Sequence, residues 1–211
     1  MPGRWLDITL PITPRSIAWA GLPPPAIRFV ARIYAGAAVN VGQLDCCLHT
    51  GTHADAPFHV LEAGATAEAL DPGAFIGPAL LLRTVDREAI TRVELLALGI
   101  EHSPVERLLI ATPCQYDGCR FPARIPHLEP EAAEMLVRLG VRLVGVNVPS
   151  VDPLDSKTLE AHRVLFGGGA VVLENLALDG IGAGRYDLVA APLAVVGGDA
   201  APVRALLRPQ A

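Results

Sequence analysis

The stretch HTGTHADAPFHV, residues 49–60, constrains the fold most, because it places three of the chain's six histidines and one aspartate in one short segment. The groups that could bind metal or carry protons all occupy odd positions: His49, His53, Asp55 and His59. In an extended backbone they would project from one face, but a straight strand would spread them over roughly 30 Å at about 3.3 Å per residue. The chain must therefore bend, and Gly51 and Pro57 permit that bend.

A helix is the rival interpretation of this stretch. His49 and His53 are four residues apart and would share one helical face, although Asp55 would point elsewhere. Gly51 lies between two β-branched threonines, and both residue types weaken a helix. The pattern therefore favours a bent strand.

Imidazole and carboxylate groups at this density are typical of a transition-metal site. Zn(II) binds both groups at about 2.0–2.2 Å, and Mn(II) or Fe(II) accept the same ligands. Asp55 has two carboxylate oxygens and could bridge two ions. The alternative without metal is a polar, solvated loop, or histidines that serve as helix caps and core donors. We favour the metal site because four such groups fall so close together.

The rest of the chain predicts an α/β fold. Its 211 residues fit a single domain, residues 1–211, that buries about 70% of the surface exposed by the unfolded chain. Apolar and β-branched runs predict strands at 5–10, 27–34, 38–47, 78–85, 107–112, 141–148, 170–173 and 188–196. Periodicity and capping residues predict helices at 87–98, 129–139 and 157–166, and PVRALL at 202–207 as a strand or a helix. We therefore expect one α/β domain with a mixed, curved β-sheet and flanking helices.

Helix ends give more specific predictions. Pro130 should occupy the first position of the 129–139 helix, and Gly140 should follow its end. Asp155 or Ser156 should be the N-cap of the 157–166 helix, which carries His162.

Composition excludes several classes of partner. No apolar run approaches the roughly 18 residues needed to span a bilayer, and the N-terminus lacks the apolar core of a secretory signal. A net charge of −5 without a Lys/Arg block argues against nucleic-acid binding. Four cysteines without a CxxC pair predict reduced thiols, with neither a disulfide nor a metal between Cys114 and Cys119. We expect a cytoplasmic protein that acts on a small molecule.

Two residues outside the histidine stretch stand out from their surroundings. Trp19 lies in a proline-rich loop, where its ring could form a wall for a planar substrate or pin the loop to the core. Glu174 follows the apolar run AVVL, where burying a carboxylate without compensation is costly. It should therefore reach solvent or meet a cation.

Three segments together resemble the metal-dependent "putative cyclase" family, and within it the branch of bacterial kynurenine formamidases. They are HTGTHADAPFH, LVGVNVPSVDPLDSKTLEAH and VVLENL, and the similarity extends from WLDITLPI near the N-terminus to APLAV near the C-terminus. The resemblance implies a swivelling β/β/α-type fold and a homodimer. It also implies two Zn²⁺ ions per subunit, with Mn²⁺ as the other candidate.

By matching motif positions, the resemblance implies five metal ligands: His49, His53, Asp55, His162 and Glu174. The first three would hold one ion and the last three the other, so that Asp55 bridges the pair. His59 would be the proton carrier rather than a ligand. Trp19 would match an aromatic residue that contacts the substrate ring.

The implied reaction is the hydrolysis of N-formyl-L-kynurenine to L-kynurenine and formate, a step of tryptophan catabolism. A metal pair lowers the pKa of a water from about 15.7 towards about 7, which supplies a hydroxide at neutral pH. His59 would then protonate the leaving aniline nitrogen. No GxSxG motif occurs, which argues against the serine-hydrolase route to the same reaction. The alternatives are a related hydrolase that opens a lactam such as isatin, which ranks first, a metal-binding module without activity, and a polyketide-type cyclase.

Overall fold

Thirteen short strands and three α-helices make up the regular structure of residues 3–85 and 87–210, which the computed structural model describes. The strands are β1 (Leu6–Asp7), β2 (Ala26–Ala31), β3 (Val41–Asp45), β4 (His53–Asp55), β5 (Ile76–Arg83), β6 (Ala89–Ile90), β7 (Arg107–Ala111), β8 (His127–Leu128), β9 (Leu143–Val146), β10 (Val171–Glu174), β11 (Gly184–Val189), β12 (Ala200–Pro202) and β13 (Leu206–Pro209). The α-helices are α1 (Arg92–Ala97), α2 (Pro130–Arg138) and α3 (Glu160–Gly167). Single 3₁₀ turns lie at Ile33–Ala35, Pro57–His59, Ala67–Ala69, Pro72–Phe75 and Ile100–His102.

Nine of these strands form one mixed sheet, in the order β1-β13-β11-β5-β7-β9-β10-β4-β12. The central strands β5, β7, β9 and β10 are parallel, and the strands on either side pair antiparallel. Parallel strands covered on both faces are apolar along most of their length, which explains the continuous runs at 79–82, 108–111 and 143–146.

The two faces of the sheet bury separate apolar cores. Side chains alternate between faces along a strand, so Leu80 and Leu108 pack with the helices while Leu81 and Leu109 face the other way. The core that contains Leu81 and Leu109 also includes Leu207, near one end of the strand order, and Ala54, near the other end. The sheet therefore curls until its two ends share a core, and the predicted mixed, curved sheet with flanking helices is confirmed.

The chain ahead of the histidine stretch forms a hairpin outside the main sheet. The predicted strands at 27–34 and 38–47 are present as the shorter, antiparallel pair β2 and β3. Several of its apolar side chains are exposed, including Phe29, Val30 and the adjacent Tyr34, which is 83% exposed. This hairpin leaves an unusual amount of apolar surface in contact with solvent.

Helix α2 follows the sequence prediction, whereas α3 begins later than predicted. Pro130 is the first residue of α2, and Gly140 follows its end with φ +82°. Neither Asp155 nor Ser156 is the N-cap of α3, which starts at Glu160 after Leu159. The prediction was wrong because Asp152, in the preceding loop, accepts hydrogen bonds from the Ala161 and His162 amides in the first turn of this helix.

Two further boundaries differ from the predictions. The helix predicted at 87–98 is reduced to α1, because Ala89–Ile90 forms a strand and the Thr91 hydroxyl caps the helix by accepting from the Glu94 amide at 3.0 Å. Residue 86, next to this prediction, lies outside the described residues. The strand predicted at 188–196 ends at Val189, whereas PVRALL contributes to β12 and β13 and forms no helix.

Within the part of the chain that the structure describes, no helix has the length and apolarity needed to cross a membrane. The four cysteines, all within that part, form no disulfide.

Candidate metal centre and active site

The histidine stretch bends where the sequence predicts a bend. Gly51 has φ +66°, and a Cβ atom there would lie 2.8 Å from the carbonyl oxygen of Leu10, so only glycine fits. Pro57 starts a 3₁₀ turn, which leaves a strand of three residues, β4, between the two bends. His49 consequently folds back towards its neighbours, with its ring centroid 4.9 Å from that of His53 and 4.4 Å from that of His59.

Asp55 lies at the centre of the cluster and is fully buried. Its Oδ1 atom is 2.9 Å from Nδ1 of His49 and 3.3 Å from Nε2 of His53. Its Oδ2 atom is 3.1 Å from Nε2 of His162, which comes from α3. The two oxygens of one carboxylate therefore face imidazoles from two distant parts of the chain.

Glu174 completes the cluster because β10 pairs antiparallel with β4, which places Glu174 directly opposite His53. Its carboxylate lies 3.5 Å from Nε2 of His53 and 3.3 Å from Nε2 of His162, and it accepts a hydrogen bond from the Val151 amide at 3.0 Å. The carboxylate is buried. Of the two outcomes predicted for Glu174, it does not reach solvent and instead faces groups that can carry positive charge.

The rings of His49, His53 and His162 are each held at their outer nitrogen. His53 Nδ1 donates to the carbonyl oxygen of Gly51 at 2.9 Å, and His162 Nδ1 lies 2.6 Å from Asp152. His49 Nε2 lies 3.0 Å from Asp199. An acceptor at the outer nitrogen fixes the tautomer and leaves the other nitrogen free to bind a metal. All three inner nitrogens point at Asp55.

Buried polar atoms without hydrogen-bond partners also indicate that the cluster fits a metal ion. Nε2 of His53 and Oδ1 of Asp55 are buried, and although they contact neighbouring groups at 2.9–3.5 Å, none of these contacts has the geometry of a hydrogen bond. An unsatisfied buried polar atom costs about 1–3 kcal/mol, so such atoms are rare unless an ion or water satisfies them. Two sets of potential ligand atoms each lie within 4.8 Å of one another, and both include Asp55: His53 with Asp55 and Glu174, and His49 with Asp55 and His59.

The electrostatics show how strongly the site attracts positive charge. Burial alone would lower the pKa of His49, but the carboxylates of Asp55 and Asp199 outweigh burial and raise that pKa to about 11. Burial likewise opposes protonation of His53, yet Asp55 and Glu174 raise its pKa to about 9. Burial would raise the pKa of Asp55, but the surrounding imidazoles hold it well below its usual value. The cluster therefore favours positive charge, either as protons on its histidines or as a bound cation.

His59 is the most exposed of the four histidines, with 28% of its side chain accessible against 16% for His49. Its Nδ1 atom lies 3.5 Å from Asp199. Burial lowers its pKa, and the positive charge of His49 and His162 adds to that effect. His59 is thus close enough to the cluster to act there and open enough to meet a bound molecule.

Sequence reasoning missed two carboxylates of this site. Asp152 accepts the amides of Ala161 and His162, at 2.9 and 3.1 Å, and thereby caps α3 while it holds the His162 ring. Asp199 approaches the cluster from the residue before β12. Asp152 lies within the segment PSVDPLDS, ten residues before His162, and this position is only a weak signal of its role. No local pattern points to Asp199.

Of the two larger cavities, one is lined by a predicted site residue, His59, and the other by none of them. A groove of about 600 Å³ beside His59 is lined by Phe58, Leu61 and the cations Lys157 and Arg163, among others. The larger cavity, about 940 Å³, is lined by other parts of the chain, including Tyr116 and Phe121. Trp19 packs edge-on against Phe121 at 4.9 Å between ring centroids. The ring contacts of the described residues do not join Trp19 to the histidine cluster, so its role stays a prediction.

The chain is similar to known proteins over nearly its whole length. The profile of a family described as "Putative cyclase" matches residues 6–153. The chain is 42% identical to a kynurenine formamidase of Bacillus cereus over 206 residues, which cover 98% of each protein. It is similar to a solved structure described as a potential metal-dependent hydrolase with cyclase activity, with a TM-score of 0.85, 29% identity and coverage of 99% of this chain and 98% of the other. Isatin hydrolase A from Labrenzia aggregata shares the fold, with a TM-score of 0.82, 24% identity and coverage of 99% and 94%.

Proposed function

Because this chain belongs to the cyclase family, we propose that it is a metal-dependent amidohydrolase that converts N-formyl-L-kynurenine to L-kynurenine and formate. The observation that carries the proposal is the buried cluster around Asp55, in which three imidazoles and a second carboxylate surround one carboxylate. The 42% identity to a kynurenine formamidase, over nearly the full length of both proteins, supports the formamide as the substrate.

We propose that the cluster holds two metal ions bridged by Asp55. His49 and His53 would complete one site, and His162 and Glu174 the other. The charges of the cluster support two ions: four carboxylates contact the imidazoles, and two divalent cations would neutralise four negative charges while the histidines stay neutral. The mixture of nitrogen and oxygen ligands suits Zn²⁺ and would also accept Mn²⁺.

Such metals, when bound, lower the pKa of water to about 7 and polarise a carbonyl oxygen, which together favour attack on an amide. The chain itself must supply the proton that the leaving nitrogen requires, because an aniline leaves poorly as an anion. His59 is suited to this task, since it is partly exposed beside the buried cluster. As the carbon–nitrogen bond breaks, the electron pair stays on nitrogen and the proton from His59 makes the neutral arylamine.

His49, Asp55 and His59 also lie close enough together to share an ion, so His59 has a second possible role as a ligand. We favour the proton carrier because the other three imidazoles each have an inner nitrogen pointing at Asp55, and the His59 ring does not contact that carboxylate within 4.0 Å. The metal content of a His59 variant separates these roles.

The groove beside His59 has the room and the charge to bind the amino-acid end of the substrate. Lys157 and Arg163 line it, and their positive charges complement a carboxylate. Phe58 and Leu61 add an apolar wall suited to an aromatic ring. Trp19 stays in the proposal as a further contact for the substrate ring, with support only from the sequence and from its partly exposed position against Phe121.

We further propose that the protein is a homodimer in the cytoplasm and that residues 1–211 act as one domain. The exposed apolar side chains of the β2–β3 hairpin provide a surface that a second copy could cover. Four cysteines without a disulfide suit a reducing compartment.

The test is hydrolysis by the purified protein of N-formyl-L-kynurenine and of isatin, each before chelation, after chelation and after Zn²⁺ is restored. We expect kynurenine and formate to form, to stop with the chelator and to return with zinc. Opening of isatin with no attack on the formamide would contradict the proposed substrate and favour a lactam hydrolase. Activity that survives complete removal of metal would contradict the metal centre.

A further inference from the structure

We infer that Asp199 is a positioning residue for His59: its carboxylate holds the imidazole at Nδ1 and leaves Nε2 to deliver the proton to the substrate. This inference rests on the proposed hydrolysis, and it adds a residue that neither the sequence motif nor the comparisons assign.

The first support is the position of a single oxygen atom. Oδ2 of Asp199 lies 3.0 Å from Nε2 of His49 and 3.5 Å from Nδ1 of His59. The second distance is long for a hydrogen bond, but hydrogen bonds in active sites are often long before substrate binds. The two rings lie side by side, with centroids 4.4 Å apart. One carboxylate oxygen therefore sits between a predicted metal ligand and the predicted proton carrier.

The second support is the way the backbone fixes Asp199. Its carbonyl oxygen accepts from the Ala56 amide at 2.9 Å, and the next residue, Ala200, pairs with Asp55 where β12 meets β4. On the other side, the carbonyl oxygen of Gly198 accepts from the Ala67 amide at 2.8 Å. Asp199 is thus attached directly to the strand that carries Asp55, and its carboxylate is held relative to the cluster by sheet hydrogen bonds rather than by a loose loop.

The chemical consequence follows from the two nitrogens of imidazole. A carboxylate that accepts from Nδ1–H fixes the tautomer, so that proton transfer takes place at Nε2. In the proposed reaction the attacking water gives its oxygen and one hydrogen to the formyl carbon. Its other proton reaches the leaving nitrogen through His59 as the carbon–nitrogen bond breaks. Asp199 stays ionised throughout and touches neither the substrate nor the transferred proton.

The test uses two substrates that differ in their need for a proton donor. Formanilide releases a basic aniline, whereas p-nitroformanilide releases a weakly basic amine that can leave with little protonation. We would measure kcat for both substrates and the zinc content for the wild type, Asp199→Asn, Asp199→Ala and His59→Ala. Asp71→Asn is the matched control, because Asp71 is an exposed aspartate whose side chain is 66% accessible.

We expect Asp199→Asn to lower kcat for formanilide by at least about 10-fold, because proton donors contribute about 10²–10⁴-fold. The kcat for p-nitroformanilide should fall by less than about 3-fold, and the zinc content should not change. His59→Ala should show the same preference, and the double variant should lose little more than His59→Ala alone. The ratio of the two rates does not depend on the folded fraction, so it remains informative if a variant is less stable.

An equal loss for both substrates, or the loss of a metal ion, would overturn the inference and assign Asp199 to His49 instead. An unchanged rate for both substrates would overturn it as well. If the wild type hydrolyses neither these two formamides nor N-formyl-L-kynurenine, the proposed function fails first, so the two failures are distinguishable.

Discussion

Nε2 of His162 lies 3.1 Å from Oδ2 of Asp55, although the two residues are 107 positions apart in the chain. The other oxygen of the same carboxylate faces His49 and His53. A carboxylate with different imidazoles at its two oxygens has the geometry that a bridge between two metal ions requires. Asp55 is therefore the residue on which the proposed centre depends most.

Asp55→Asn should remove both metal ions and abolish hydrolysis. The amide carries no charge to share between two cations and has one oxygen where the carboxylate has two, although the imidazoles of His49, His53 and His162 lie against both carboxylate oxygens. Elemental analysis should find less than one metal per chain, with activity at least about 100-fold below the wild type. A variant that keeps two metals would contradict the bridging role.

His59→Ala should retain the metals and lose turnover. A positioned general acid contributes about 10²–10⁴-fold, so kcat for the formamide should fall within that range. The control is His102→Ala, since the side chain of His102 is 81% accessible and distant from this chemistry. If elemental analysis finds the His59 variant depleted of metal and the control fully loaded, His59 is a ligand.

Glu174→Gln should weaken one metal ion more than the other. The Glu174 carboxylate faces His53 and His162 but lies away from His49, so its charge should matter most to the ion that it shares with His162. Titration with a competing chelator should show one site that releases metal at lower chelator concentration than in the wild type. If both ions are released as in the wild type and activity is full, Glu174 is not a metal ligand.

Asp152→Asn should weaken metal binding without removing a ligand. Asp152 holds the outer nitrogen of His162 and caps α3 through two amides. Outer carboxylates of this kind contribute about 10–100-fold to metal affinity, and N-caps contribute about 0.5–2 kcal/mol to stability. We expect both losses, measured by zinc competition and by urea unfolding of the metal-free protein. Asp155→Asn is the matched control, because Asp155 is an exposed residue of the same loop that does not cap α3.

Metal binding should release protons, and it should stabilise the fold more at high pH. The pKa values of about 11 for His49 and about 9 for His53 mean that both rings are protonated at pH 7 without metal. Because these folded-state pKa values are raised, their contribution to the stability of the metal-free protein is fully present below about pH 6.5 and is lost as the pH rises through 9 to 11. Metal affinity rises over the same range, because fewer protons must leave.

The difference in Tm between zinc-loaded and metal-free protein should therefore widen from pH 6 to pH 9. Thermal unfolding with zinc and with chelator at both pH values measures it directly. A difference that narrows with pH would mean that the histidines are neutral in the metal-free protein.

Local sequence was sufficient for the features that depend on neighbouring residues. The bends at Gly51 and Pro57, the start of α2 at Pro130 and the apolar central strands all follow from backbone preferences and residue spacing. The histidine stretch also indicated a metal site on its own, because the density of imidazole groups needs no tertiary information.

The tertiary structure decided which distant residues meet that stretch. β4 pairs with β10 on one side and β12 on the other, which brings Glu174 and Asp199 to the cluster. The Asp152 carboxylate caps α3, so the helix begins after Asp155 and Ser156. Strand pairing is set by which buried faces fit together across the whole curled sheet, and periodicity along the chain does not encode that choice. The roles proposed for His162 and Glu174 as ligands could be predicted from the sequence only through family resemblance, and Asp152 and Asp199 were found only from the fold.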